Sequence, residues 1–245
     1  MSKVKIVVLF IVSFVLFTLT LVPISLVASK LSLPKNIAYQ GLDGTLWQGE
    51  IDAVQVNNML FENVRWQFEF SSLLHGNLGF DIKFGNARNS QQLSGRGTVS
   101  SGLTGHQLRD FVFRMPAHGV KPFLPLPVGV IAGRLITTIE VFQIGEPVCE
   151  QLNGEFVWVK AGTDINGPIS FGTITSTLLC EENKLVAKFD GNNLLGIEGS
   201  AVIESAKKYG FDGFVKPDVS LPAVVHQGVG MLGKMDNKGK YKIKL

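Results

Sequence analysis

The apolar residues of this chain follow two different patterns. From 6 to 27 no charged residue interrupts an apolar run, and at about 1.5 Å per helical residue that run is long enough for a hydrocarbon core of about 30 Å. Lys3 and Lys5 precede it and Lys30 follows it, a bias that keeps the amino terminus cytoplasmic and sends the rest outward. The pattern predicts a basic cytoplasmic tail over 1–5, a transmembrane helix over 6–27, a connector over 28–38 and an exported domain over 39–245. Two other readings compete. A cleaved signal peptide has a shorter apolar core, about 7 to 15 residues, ahead of small residues such as Ala28 and Ser29. A buried soluble helix would usually show a polar face, which this run lacks. Pro23 has no amide donor and can kink or shorten the outer end of the helix.

Beyond Tyr39 an alternation of period two takes over. Val64, Trp66, Phe68 and Phe70 fall on one face, with Arg65, Gln67 and Glu69 on the other. Leu78, Phe80, Ile82 and Phe84 repeat the pattern, as do Phe111 with Phe113 and Leu135, Thr137, Ile139 and Val141. Further strands are predicted over 154–160, 168–177, 184–189, 197–203 and 211–216, punctuated by Gly162, Gly167, Gly191 and Gly210. Pro116, Pro122, Pro125 and Pro127 interrupt pairing over 116–132, an irregular crossover at which the domain could divide into two subdomains. Ser220 reads as the cap of a late helix with Pro222 in its first turn and an end near Gly230 or Gly233. The predicted fold is mainly β: an N-terminal transmembrane helix, then an antiparallel, elongated or curved β-sheet domain with short helical or irregular crossovers.

Charge changes this picture little. Lys+Arg 23 against Asp+Glu 20 gives +3, spread along the chain without a tract for nucleic acid. The exported side would hold both cysteines, Cys149 and Cys180, and an oxidising compartment favours their pairing over two buried thiols. His75, His106, His118 and His226 are scattered, so no metal-ligand cluster forms in the sequence. No serine lies in G-x-S-x-G, and the glycine-rich segments lack the order of a phosphate cradle. Asp43 and Asp52 flank Trp47, yet spacing alone does not make their carboxylates converge. The sequence offers no catalytic residue and no cofactor, and a noncatalytic role follows.

Two stretches remain as interaction candidates. Gly44, Thr45, Leu46, Trp47 and Gly49 place an aromatic between close glycines at a strand rim; the alternative for Trp47, as for Trp66 and Trp158, is a core or cross-strand contact. Lys240, Lys242 and Lys244 alternate with Tyr241 and Ile243, as on an edge strand whose lysines deter or guide pairing.

In combination the sequence resembles the type II secretion system protein N family. Gly41-Leu42-Asp43-Gly44-Thr45-Leu46-Trp47-Gln48-Gly49 after an apolar N-terminal segment carries the likeness. So do Trp66 followed by Leu73-Leu74-His75-Gly76, Pro125-Leu126-Pro127 leading to Gly133, and the glycine-rich second half with Cys149 and Cys180. The resemblance implies a single-pass protein of the Gram-negative inner membrane, its N terminus cytoplasmic and its β-rich domain periplasmic. It implies a noncatalytic accessory role in protein export across the outer membrane, a scaffold or assembly element, with inner-membrane components of the secretion machinery as partners. Phospholipid would surround the anchor. The alternative function is lipid binding or envelope bridging, with a lipid held in the apolar groove of a curved sheet.

Overall fold

A computed structural model describes residues 3–30, 34, 36–57, 59–103, 105–123, 130–165, 167–205 and 208–244. The apolar run does not form one continuous helix. Helix α1, Lys3–Leu21, has 19 residues, two of them lysines; its uncharged part, 6–21, rises about 24 Å at ~1.5 Å per residue. The helix breaks before Pro23, whose backbone forms an isolated antiparallel bridge with Thr45, and a separate helix α2 covers only Ile24–Ala28. Among the described residues no helix is long and apolar enough to cross a membrane. The anchor over 6–27, and the single-pass inner-membrane placement built on it, are corrected accordingly. Proline is the local cause: it removes the donor that would carry α1 onward.

The rest is one antiparallel sheet laid down almost wholly in chain order. Its strands are β1 Ile37–Gly44, β2 Gln48–Val56, β3 Met59–Glu69, β4 Asn77–Phe84, β5 Ser94–Gly102, β6 Gly105–Pro116 and β7 Val130–Ile144. They continue as β8 Cys149–Asp164, β9 Pro168–Glu181, β10 Lys184–Asp190, β11 Glu198–Ser205, β12 Lys208–Val215, β13 Lys234–Met235 and β14 Tyr241–Lys244. Each strand pairs with its successor except at the end, where the spatial order is β12, β14, β13. Register keeps like faces together: Trp66 opposes Ile82 and Phe68 opposes Phe80. Between β9 and β10 the turn is two residues, Glu182 at φ 51° and Asn183 at φ 61°, the conformation that matches strand twist. Bulges bend the sheet. One lies between Arg96 and Thr98 opposite Asp110 at φ 49°; another sets Gly133 against Lys160, both with positive φ.

Cover comes from small elements packed on the later strands. A 3-10 segment, Ala117–Phe123, puts Ala117 against Ile131 and Leu135; residues 124–129, with Pro125 and Pro127 of the predicted crossover, lie outside the described residues. Helix α3, Ala223–Leu232, lays Val225 on Ile169, Phe171 and Ile174 and Val229 on Val215 and Ile243. Its cap is not Ser220. That hydroxyl donates to Asp218 at 2.6 Å, and Pro222 occupies the cap position with no side-chain bond. The sulfurs of Cys149 and Cys180 are joined at 2.09 Å, tying the start of β8 to the end of β9.

Candidate interaction surface

The hairpin between β1 and β2 is a tight wedge. Gly44 has φ +105°, Thr45 N–H donates to the Gln48 carbonyl at 2.8 Å, and Trp47 N–H donates to Thr45 Oγ1 at 3.3 Å. Gly49 is fixed by sterics: a Cβ there would lie 2.4 Å from the Trp66 ring and 2.5 Å from the Asp43 carbonyl. Trp66 Nε1 donates to the Leu46 carbonyl at 3.2 Å, and Phe68 N–H donates to the Trp47 carbonyl at 2.6 Å. The Trp47 ring meets Phe68 edge-on at 4.9 Å and stacks on Phe70 at 6.4 Å. Trp47 is therefore half-buried, one flank against the sheet's aromatics and the other at the rim.

That rim extends over residues whose pattern did not flag them. After β3 a 3-10 segment, Phe70–His75, closes with Gly76 in the left-handed region. Phe70 and Leu73 are exposed, and Leu74 is 87% exposed. Leu103, in the β5–β6 turn at the same end, is 88% exposed and donates its N–H to the Gly76 carbonyl at 3.3 Å. Exposed apolar side chains on adjoining turns make this end a candidate contact surface. The segment beneath is held firmly. The Glu69 carboxylate accepts from Ser72 at 2.6 Å, Ser71 at 2.8 Å and Arg109 at 3.3 Å. The serine hydroxyls, with Arg109 adding to them, hold its pKa below the usual value. The signal in the sequence was two adjacent leucines and a lone Leu103 between turn residues, where polar side chains are the norm.

β1 is the first strand of the sheet, hydrogen-bonded to β2 on one side. Between α2 and the first strands lies a cavity of about 360 Å³ with apolar walls, among them Ile24, Val27, Leu42, Val54 and Trp66. At the opposite border the lysines serve the fold. Lys240 pairs with Glu198, Lys242 Nζ lies 3.6 Å from Asp212, and both ammonium groups sit over the Phe214 ring, at 5.8 and 5.6 Å. β14 is the penultimate strand; β13 beyond it pairs only with Tyr241 and Lys242, and Lys244 opposes Asp212 on β12. Trp158 donates Nε1 to the Ala132 carbonyl at 2.9 Å and packs between two core clusters. Asp43 caps the Gly44 N–H at 2.8 Å, whereas the Asp52 side chain occupies the space a Cβ at Gly41 would need. Among the described residues no three His, Cys, Asp or Glu side chains converge as a metal site.

A rim, an edge strand and an apolar cavity lie at the borders of one bent antiparallel sheet, which defines the chain as a β protein. Residues 35–244 match the family model described as Type II secretion system (T2SS), protein N, and the chain belongs to that family. It is 31% identical to type II secretion system protein N of Vibrio cholerae over 222 residues, covering 89% of this chain and 88% of the relative. Identity to the protein N of Aeromonas hydrophila is also 31%, over 251 residues, 99% of this chain and 97% of the relative. The protein N of Pectobacterium carotovorum is 23% identical over 212 residues, with 84% and 82% covered. No solved structure matches the chain. Membership gives it the general protein N role in type II secretion and a noncatalytic one.

Proposed function

We propose that this chain is a scaffold or assembly element of the type II secretion machinery, binding other components of that machinery through the apolar rim. The observation that carries the reading is the rim itself, with exposed Phe70 stacked on the half-buried Trp47 and Leu74 and Leu103 exposed on the turns that follow. Burying such side chains drives association at roughly 25 cal/mol per Å² of apolar area. As the first strand of the sheet, β1 is the element an incoming strand would extend.

The test is co-purification and crosslinking of the full chain from cells that carry the machinery. Leu74→Ser with Leu103→Ser, and separately Trp47→Ala, should lose association while keeping wild-type circular dichroism. Lys242→Glu should have the smaller effect, because that lysine is engaged by Asp212 and Phe214. Undiminished association in the rim variants would overturn the reading. A lipid occupant is the second reading, favoured by the apolar cavity beside α2. Native mass spectrometry of the isolated chain should then detect a stoichiometric lipid, and Val54→Glu should expel it.

A further inference from the structure

The polar face of β1 to β5 forms a trough that crosses the strands. Asp43, Glu50, Arg65, Lys83 and Arg96 stand opposite one another from strand to strand. Two residues away along β2 to β5, Gln48, Gln67, Asp81 and Thr98 make a second row in the same way. Strand alternation puts both rows on one face, about 7 Å apart, and turns the intervening Trp66 and Ile82 side chains to the other. The floor between the rows is therefore backbone, bare at Gly49 and Gly97. At the far end the bulge of β6 adds Asp110, at φ 49°. The enclosed volume is about 780 Å³, within the range of ligand pockets, and five strands give the trough a length of about 19 Å.

Charges of both signs line it. Asp43, Glu50, Asp81 and Asp110 face Arg65, Lys83 and Arg96, so a ligand carrying one sign of charge meets its own sign along the whole length. The fold uses part of this capacity: Arg65 Nε lies 3.1 Å from Glu50, and the Thr98 hydroxyl donates to Asp81 at 2.6 Å. Among the described residues, Lys83, Arg96 and Asp110 have no ion pair. β2, β3 and β4 are paired on both sides, so the floor has no free ladder for an added strand, and an occupant is held by side chains alone. A hydroxyl donates and accepts at once. It satisfies carboxylate, ammonium, guanidinium and amide alike and brings no charge.

We propose that the trough binds a stretch of neutral polysaccharide lying across the strands. The hydroxyls accept from Lys83, Arg96 and the amides of Gln48 and Gln67, and they donate to Asp43, Asp81 and Asp110. Hydrogen bonds to charged partners are the stronger kind. The flat backbone floor takes a sugar ring, and the wall groups recur at strand spacing as the units of a polymer recur. This goes beyond the scaffold reading, because the ligand is not a component of the secretion machinery.

The experiment titrates cellohexaose and the hexamer of N-acetylglucosamine, both uncharged, into the full chain and follows binding by calorimetry. At least one should bind, with an affinity that changes less than about twofold between roughly 0.05 and 0.5 M salt, since no pair of opposite charges is screened. Gln67→Ala with Asp81→Ala should weaken it about tenfold. Glu181→Ala with Lys188→Ala removes an exposed ion pair between β9 and β10 and should shift it less than about twofold. If the first pair does not fold, Gln67→Ala alone, at an exposed position, carries the test with roughly a threefold loss. Binding of neither sugar would overturn the site, as would equal weakening in both double variants. Tighter, salt-sensitive binding of oligoglutamate or oligolysine would overturn it too. No secretion component enters the titration, so its failure leaves the apolar rim standing.

Discussion

The two halves of the sheet are held by different means. Ahead of Ala117, Phe68 and Phe84 are the buried hydrophobic side chains among the described residues. Cohesion there comes from rings meeting across strands, as in Phe61–Phe84 at 5.3 Å and Phe68–Phe80 at 5.2 Å. From Ala117 onward three clusters fill the space under the 3-10 segment and α3, and the disulfide closes β8 onto β9. Aromatic pairs contribute about 0.5 to 1.5 kcal/mol each beyond burial, whereas a covered core adds its whole apolar area. The comparison teaches a difference in cohesion: the later strands carry the clustered core and the disulfide, and the early strands are held by rings meeting across strands.

The largest expected effect lies in the dense half. Replacing Cys149 and Cys180 by Ser opens a closure spanning 31 positions and should cost about 3 to 4 kcal/mol, read as a lower urea midpoint. Ile174→Ala, at a side chain 2% exposed, should cost about 3 kcal/mol through the cavity it leaves. Either change should speed hydrogen exchange across β8 to β10. Trp47→Ala sharpens the contrast from the other side. It should cost about 1 to 2 kcal/mol, with faster exchange confined to β1 through β4. An equal acceleration in β8 to β10 would erase the distinction.

The smallest effect is a pH dependence in the early half. Glu69 has a lowered pKa because Ser72 and Ser71 donate to its charged form, with Arg109 adding to them. Its contribution is complete above the unfolded value near 4.5 and is lost as pH falls through the lower folded value. Glu69→Gln should flatten the acid limb of stability in that window. An unchanged limb would show that the carboxylate is not what secures the 3-10 segment.

Much of the architecture was legible because a half-buried strand alternates visibly. Val64 through Phe68 announced β3, although Phe70, predicted on the same face, begins the 3-10 segment instead; Leu78 through Phe84 announced β4. The long strands were read short. In β8, of 16 residues, the bulge at Lys160 displaces the alternation, so the pattern ended where the strand did not. The N-terminal run misleads because its apolar length masks the effect of Pro23, whose bridge to Thr45 accompanies the end of the helix. The Trp47 wedge stood out by its glycines. Phe70, Leu74 and Leu103 did not, since turn residues show their exposure only once two distant turns share one end. The cross-strand row of Arg65, Lys83 and Arg96 was equally hidden, since it exists only through register.

The most direct measurement is hydrogen exchange of the full chain alone and after capture with the secretion machinery. Alone, β8 to β10 should exchange most slowly; on capture, new protection should fall on β1, Phe70–His75 and the Leu103 turn. Protection gained instead within β8 to β10, or none at the early rim, would contradict the account.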